Sequence, residues 1–223
     1  YRVAKAVYGL ADAPFQWYQT LARFFGQQGL VRSKWGHAVW YLPADTQAVS
    51  GQKGAPSAQA VGTTGSIQGV LCIATDDVLW GGNAKFEAIM TGFRKKYGIT
   101  SHDDTETGAV RYWGHDMRQL KGAMTLSQVT YANTIEPIPV KANRRNEDPL
   151  TDTEVRQAGG RLGALNFVTT QTRGDEAFSV SEACSQLGRQ PGAGVLRAIN
   201  RIIERVKTTP VVLTLPQLPS SGD

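Results

Sequence analysis

A chain of 223 residues with 41% hydrophobic residues carries enough apolar material for one or two packed domains, which excludes wholesale disorder. Lys and Arg outnumber Asp and Glu by 24 to 19, and the resulting net charge of +5 permits a polyanionic partner without demanding one. Two cysteines far apart, Cys72 and Cys184, exclude a disulfide framework and a zinc knuckle and read as buried thiols in a reducing compartment, while no apolar run is long enough to span a bilayer.

The chain opens on Tyr1 rather than Met, and residues 3–10 already read as ordered structure, so the expectation is a piece of something longer. Trp17, Leu21, Phe24 and Phe25 then fall at i, i+4, i+7 and i+8, the spacing of one apolar helix face, with Pro14 suited to the first turn and Gly29 to the stop. A short strand is expected over 38–42. Residues 44–66 change character, being Gly, Ala, Ser, Gln and Thr with almost no large apolar side chain, and read as a flexible surface insertion. Two short apolar runs, 67–73 and 78–80, flank Thr75-Asp76-Asp77 and predict a hairpin with the aspartates at its turn, broken after Trp80 by Gly81 and Gly82. Asn83 suits a helix cap. Phe86, Ile89, Met90, Phe93 and Tyr97 supply the apolar face behind it, and Gly98 the end.

In the second half, 110–117 and 123–126 predict another hairpin around Lys121-Gly122. Ser127 is expected to cap a short helix containing Tyr131 and Ile135, stopped by Pro137 and Pro139. Residues 141–149 read as a polar, basic linker. Thr151 and Glu154 have capping-box spacing, ahead of a face of Leu162, Leu165 and Val168 that Gly159, Gly160 and Gly163 weaken. Further helices are expected over 177–187 and through Val195, Ile199, Ile202, Ile203 and Val206, then a closing strand over 211–215 and a tail over 216–223. The expected class is α+β: an antiparallel sheet with helices on one face, followed by a mostly helical region.

The chemistry concentrates at Asp76 and Asp77. Adjacent carboxylates at a hairpin turn present dense negative charge, and magnesium is a hard cation that takes oxygen ligands, often one or two carboxylates with substrate phosphates completing the shell. Two such ions about 3.5–4 Å apart can activate an attacking hydroxyl and steady a leaving pyrophosphate. A solvated turn is the plain alternative, and it is the expectation for the second such pair, Asp103-Asp104, which has no strand before it.

The company of the first pair is specific. Val7-Tyr8-Gly9-Leu10-Ala11-Asp12-Ala13-Pro14-Phe15-Gln16-Trp17-Tyr18 resembles the Leu-Tyr-Gly-Leu-Lys-Gln-Ala-Pro signature of copia-type retrotransposon reverse transcriptases. Ile73-Ala74-Thr75-Asp76-Asp77-Val78-Leu79 stands where that family has Tyr-Val-Asp-Asp. Tyr112-Trp113-Gly114-His115-Asp116-Met117 resembles its Phe-Leu-Gly-Ile strand, and Leu126-Ser127-Gln128-Val129-Thr130-Tyr131 its Leu-Ser-Gln-x-x-Tyr. Gly163-Ala164-Leu165-Asn166-Phe167-Val168-Thr169 through Arg173 and the helix over 198–207 continue the order, so nearly the whole chain outside 44–66 is covered.

The resemblance implies part of a right-hand polymerase: a partial palm over 1–126 and a thumb or connection over 127–215. It implies RNA-directed DNA polymerisation with two Mg2+ ions held by Asp76 and Asp77, on an RNA or DNA template–primer with deoxynucleoside triphosphates. Gly9, Ala13 and Pro14 would lie near the incoming nucleotide and template, and Tyr112, Trp113 and Gly114 near the primer end. The parent would be a Pol polyprotein with integrase upstream and ribonuclease H downstream, intracellular, cytoplasmic or nuclear. Two departures stand out: Ala74-Thr75 replaces the family's Tyr-Val, and Ala11-Asp12 replaces its Lys-Gln. The family's first catalytic aspartate falls before residue 1, so the expectation is an incomplete two-metal site and no polymerase activity from these 223 residues alone. A degenerate relic and a non-catalytic nucleic-acid-binding module remain the alternatives.

The remaining candidates read as structural or solvated. Arg197, Arg201 and Arg205 share a helix face that suits either phosphates or water. Lys141, Arg144 and Arg145 fit a solvated linker, and Trp17, Trp35, Trp40, Trp80 and Trp113 fit a core. His37, His102 and His115 show no metal-ligand spacing with the cysteines.

Overall fold

The computed structural model describes residues 12–44, 66–75, 77–189 and 191–217. The class is α+β, with antiparallel sheets and six α-helices among the described residues. The chain divides into two compact units, Tyr1–His102 and Asp103–Asp223.

The first unit contains helix α1 (Ala13–Gln27), strands β1 (Val31–Arg32), β2 (Val39–Pro43), β3 (Ile67–Ala74) and β4 (Asp77–Gly82), and helix α2 (Ala84–Tyr97). The four strands form one antiparallel sheet in chain order. Strand β1, too short to signal itself in sequence, exists through its pairing with β2, Val31 opposite Tyr41. The backbone N–H of Ala44 donates to the Ser66 carbonyl at 2.9 Å, so the insertion leaves and re-enters the sheet at neighbouring points. Residues 45–65 lie outside the described residues.

Leu71 and Ile73 of β3 and Trp40 and Leu42 of β2 point to one face of this sheet. There they form a core with Leu21, Phe24 and Phe25 of α1 and Phe86, Met90 and Phe93 of α2, so both helices cover the same face. Each aromatic stacks on the next: Phe24 and Phe25 sit 5.7 and 5.1 Å from Phe93. The expected break at Gly81 and Gly82 does not occur. Strand β4 continues through both, with Gly82 paired to Gly69. The glycines serve a close approach: a Cβ on Gly69 would fall 2.2 Å from Cγ of Phe86, and one on Gly82 2.7 Å from its Cβ. Asn83 caps α2 by accepting from the Lys85 and Phe86 N–H groups, both at 3.1 Å.

The second unit holds strands β5 (Val110–Tyr112), β6 (His115–Leu120), β7 (Ala123–Ser127) and β8 (Val212–Pro216), and helices α3 (Val129–Asn133), α4 (Asp152–Gln171), α5 (Ala177–Leu187) and α6 (Gly194–Thr208). The strands over 110–127 group with the helices that follow because β7 pairs with the late strand β8, Leu126 opposite Leu213. The single strand expected over 110–117 is two strands, folded at Trp113-Gly114. Ser127 is not a helix cap; its pairing with Val212 claims it for β7. The Asp116 carboxylate instead accepts from the Thr130 N–H at 3.0 Å, and α3 ends before Ile135.

Helices α3 to α6 enclose an aliphatic core of Leu162, Leu165, Val168, Val180, Leu196, Ile199, Ile202 and their neighbours. Thr151 and Glu154 form the anticipated capping box at the head of α4. The three glycines of α4 sit on its exposed side and do not interrupt it. No helix of the described residues is long and apolar enough to cross a membrane.

Candidate functional site

The β3–β4 hairpin is closed by a two-residue turn, with Ala74 opposite Asp77 and Ile73 opposite Val78. Asp76 lies outside the described residues, as does Gly9. Asp77 is the first residue of β4 and is exposed. Ile73 points into the helix-covered core, so the alternation of a strand puts Ala74 and its partner Asp77 on the opposite face of the sheet, in line with Cys72, Val70 and Tyr41. Val70 there is 39% exposed.

Turns of this length favour residues with positive φ, usually Asn or Gly. Thr75 opens this one at φ 55°. A β-branched side chain in that region is a real outlier, and such strain concentrates at functional positions. Among the described residues the other non-glycine residue with positive φ is Trp113, at 47°, which opens the β5–β6 turn. The first outlier lies in the hairpin expected from sequence, the second in a turn within residues 110–117, which were expected to form a single strand.

Ala13 and Pro14 form the first turn of α1, and the same helix sends Leu21, Phe24 and Phe25 into the core that holds Ile73. Tyr112, Trp113 and Gly114 end β5 and make the turn into β6. The His115 Nδ1–H donates to the Trp113 carbonyl at 2.9 Å, and Phe167 of α4 lies 5.8 Å from the rings of both Trp113 and His115. Gly114 needs to be glycine twice over: its φ is 75°, and a Cβ would meet Phe167 at 3.0 Å. Trp113 remains 57% exposed, contrary to the expectation of a core residue.

Magnesium held by carboxylates and substrate phosphates needs an exposed acid, and Asp77 is exposed at the first position of β4. Among the described residues no three or more His, Cys, Asp or Glu side chains converge on one point. Asp103 and Asp104 are exposed, and Asp104 closes its own loop by accepting from the Glu106 N–H at 2.9 Å, as anticipated for a solvated turn. Cys72 is half-buried and Cys184 exposed, so neither is the buried thiol expected.

The arginine face of α6 is not a free cationic stripe. Arg205 grips Glu176 through both carboxylate oxygens at 2.6 Å, and Arg197 donates to the Asn146 side chain at 2.7 Å and to the Arg144 carbonyl; Arg201 is left exposed. Arg144 is tied to Glu154 rather than solvated. The residue that organises this region enters the sequence analysis only as the end of the motif that begins at Gly163. Arg173 is 4% exposed, grips Asp175 at 2.9 and 2.8 Å, and donates to the Val206 and Thr209 carbonyls at the end of α6. Its signal was the Asp175-Glu176 pair two and three residues on. Hydrogen bonds from Arg205 and Arg173 hold the Glu176 and Asp175 carboxyls below their ordinary range, and the bond from Arg144 lowers Glu154 to about 2. These shifts mark a structural brace. No family model, curated protein or solved structure matches this chain.

Proposed function

We propose that the chain is a segment of a copia-type reverse transcriptase, an RNA-directed DNA polymerase using two Mg2+ ions. In this reading the first sheet, with α1 and α2 on one face, is part of a palm, and the helices after β7 belong to a thumb. The observation that carries the reading is the β3–β4 hairpin: Asp77 opens β4 after a strained two-residue turn, on the face away from both helices. The ordered series of short motifs from Tyr8 to Arg173 adds to it.

Asp76 and Asp77 would ligate the metal, which supplies charge neutralisation and a template for the phosphates. The described residues contribute an exposed carboxylate, Asp77, at the start of β4. Because the motif provides two carboxylates where the family uses three, the 223 residues alone are expected not to extend a primer.

Iron-directed cleavage tests the reading without requiring turnover. Fe2+ replaces Mg2+ on the chain bound to a labelled primer–template hybrid, and peroxide is added. The expected result is scission confined to the primer 3′ end, suppressed by Asp77→Asn and by excess Mg2+. Scission spread evenly along the hybrid, or unchanged in Asp77→Asn, would sink the proposal.

A further inference from the structure

The hairpin joining β1 to β2 presents a second surface with a defined chemistry. Its loop is held rigidly. The Ser33 N–H donates to the Val39 carbonyl at 2.8 Å, the Val39 N–H to the Gly36 carbonyl at 3.0 Å, and the Trp35 N–H to the Ser33 hydroxyl at 3.1 Å. The Tyr18 hydroxyl, from α1, donates to the His37 carbonyl at 2.5 Å and ties the loop to the helix. Such a loop has the anchoring to tuck an aromatic ring inward, yet Trp35 is 88% exposed, the most exposed of the large hydrophobic residues described. This corrects the expectation that Trp35 belongs to the core.

The charge along this stretch of the chain is one-sided. Between Asp12 and Asp45 the sequence has no carboxylate, while Arg23, Arg32 and Lys34 lie in that stretch. Among the described residues none of these three cations has an acidic partner. The Lys34 ammonium sits 4.9 Å from the centre of the Trp35 ring, which leaves the other ring face open. An exposed, pre-ordered aromatic face beside unneutralised cations is the arrangement that binds single-stranded nucleic acid: a base stacks on the ring and the phosphates meet the cations.

We infer that the β1–β2 hairpin is a single-strand contact, with Trp35 as the stacking platform and Lys34 and Arg32 as phosphate ligands. The inference rests on the polymerase reading for its class of partner, but it needs neither Asp77 nor a metal. Its ligand is an unpaired stretch of template or primer, bound chiefly by backbone and stacking and thus with little sequence preference.

The test is fluorescence anisotropy of a labelled oligothymidylate with the full 223-residue chain. Trp35→Ala is expected to weaken binding roughly tenfold, and Trp35→Phe to retain most of it. Lys34→Glu is expected to weaken binding and to flatten the salt dependence by about 0.7 in log–log slope. A ring so exposed bears little on folding, so the thermal midpoint of Trp35→Ala should match wild type. Equal oligonucleotide affinity in wild type and Trp35→Ala would overturn the inference. So would loss of self-association in Trp35→Ala on sedimentation with oligonucleotide binding unchanged, since the patch would then be a protein contact. Iron-directed scission reports on the β3–β4 hairpin and anisotropy on Trp35, so either reading can fail while the other stands.

Discussion

The two units solve the same problem with different materials. Five of the twelve buried core residues of the first are rings, Trp40, Phe24, Phe25, Phe86 and Phe93, set between two helices and one face of a sheet. Those of the second are aliphatic, from Ala132 to Val206, on four helices and on the segment after α3 that carries Ile135 and Ile138. The ion pairs found among the described residues all fall in the second unit. Large flat rings leave few alternative packings, so an aromatic layer fixes helix position by shape alone. Leu, Ile and Val fit a helix bundle in more than one register. The second unit adds directional bonds that choose among these arrangements: Arg173 to the end of α6, Arg205 to Glu176, Arg144 to Glu154, and Asn200 to both backbone groups of Ile138 at 2.7 Å. The difference teaches that polar specificity is spent where shape is permissive.

Removing the brace should have the largest effect. Arg173→Met leaves the Val206 and Thr209 carbonyls at the end of α6 without their donor, while water takes over the exposed Asp175 carboxylate. It is expected to cost about 2–4 kcal/mol, read as a lower urea midpoint in far-UV circular dichroism. If Arg173→Met unfolds with wild type, the second unit does not depend on its brace and the contrast fails. A shape defect in the first unit comes next. Gly69→Ala places a methyl inside Phe86 and should cost roughly 1–3 kcal/mol through displacement of α2, with the fluorescence of the half-buried Trp80 changing alongside. Recovery of part of that loss in Gly69→Ala with Phe86→Leu would pin the cost to this contact.

Acid gives the mildest and most graded separation. Glu154 falls from an ordinary 4.5 to about 2 when folded, and Asp175 and Glu176 are also lowered. A depressed folded pKa adds stability that is complete above the unfolded value and disappears as pH falls through the folded one. Stability of the second unit should therefore hold above about pH 4.5 and decline toward pH 2, while Arg144→Met, which removes the main partner of Glu154, flattens that decline. Thermal scans at pH 6, 4 and 3 check this; a midpoint independent of pH over that range would count against it.

Much of the architecture was legible in the chain. Periodicity placed α1, α2 and α6 and named their buried faces, because a helix facing a core repeats its apolar residues every three or four positions. Caps at Asn83 and Thr151 were readable because their oxygens bond within three residues. The β3–β4 hairpin, with Asp77 beside its turn, was legible for the same local reason. What failed was non-local. Gly81 and Gly82 looked like a strand break, but they are the floor on which Phe86 rests. Ser127 looked like a cap, but a strand more than eighty residues later takes it.

The sequence by itself determined which segments become helices and strands, where the acidic turn falls, and that the overall balance is basic; each depends on neighbours within a few residues. Tertiary structure decided which tryptophans are buried and which are offered to solvent, and which arginines brace the fold. It also decided to which face of the sheet Asp77 belongs. Those outcomes depend on what packs against each residue from elsewhere in the chain: Trp40 and Trp35 lie five positions apart, yet one is 2% exposed and the other 88%.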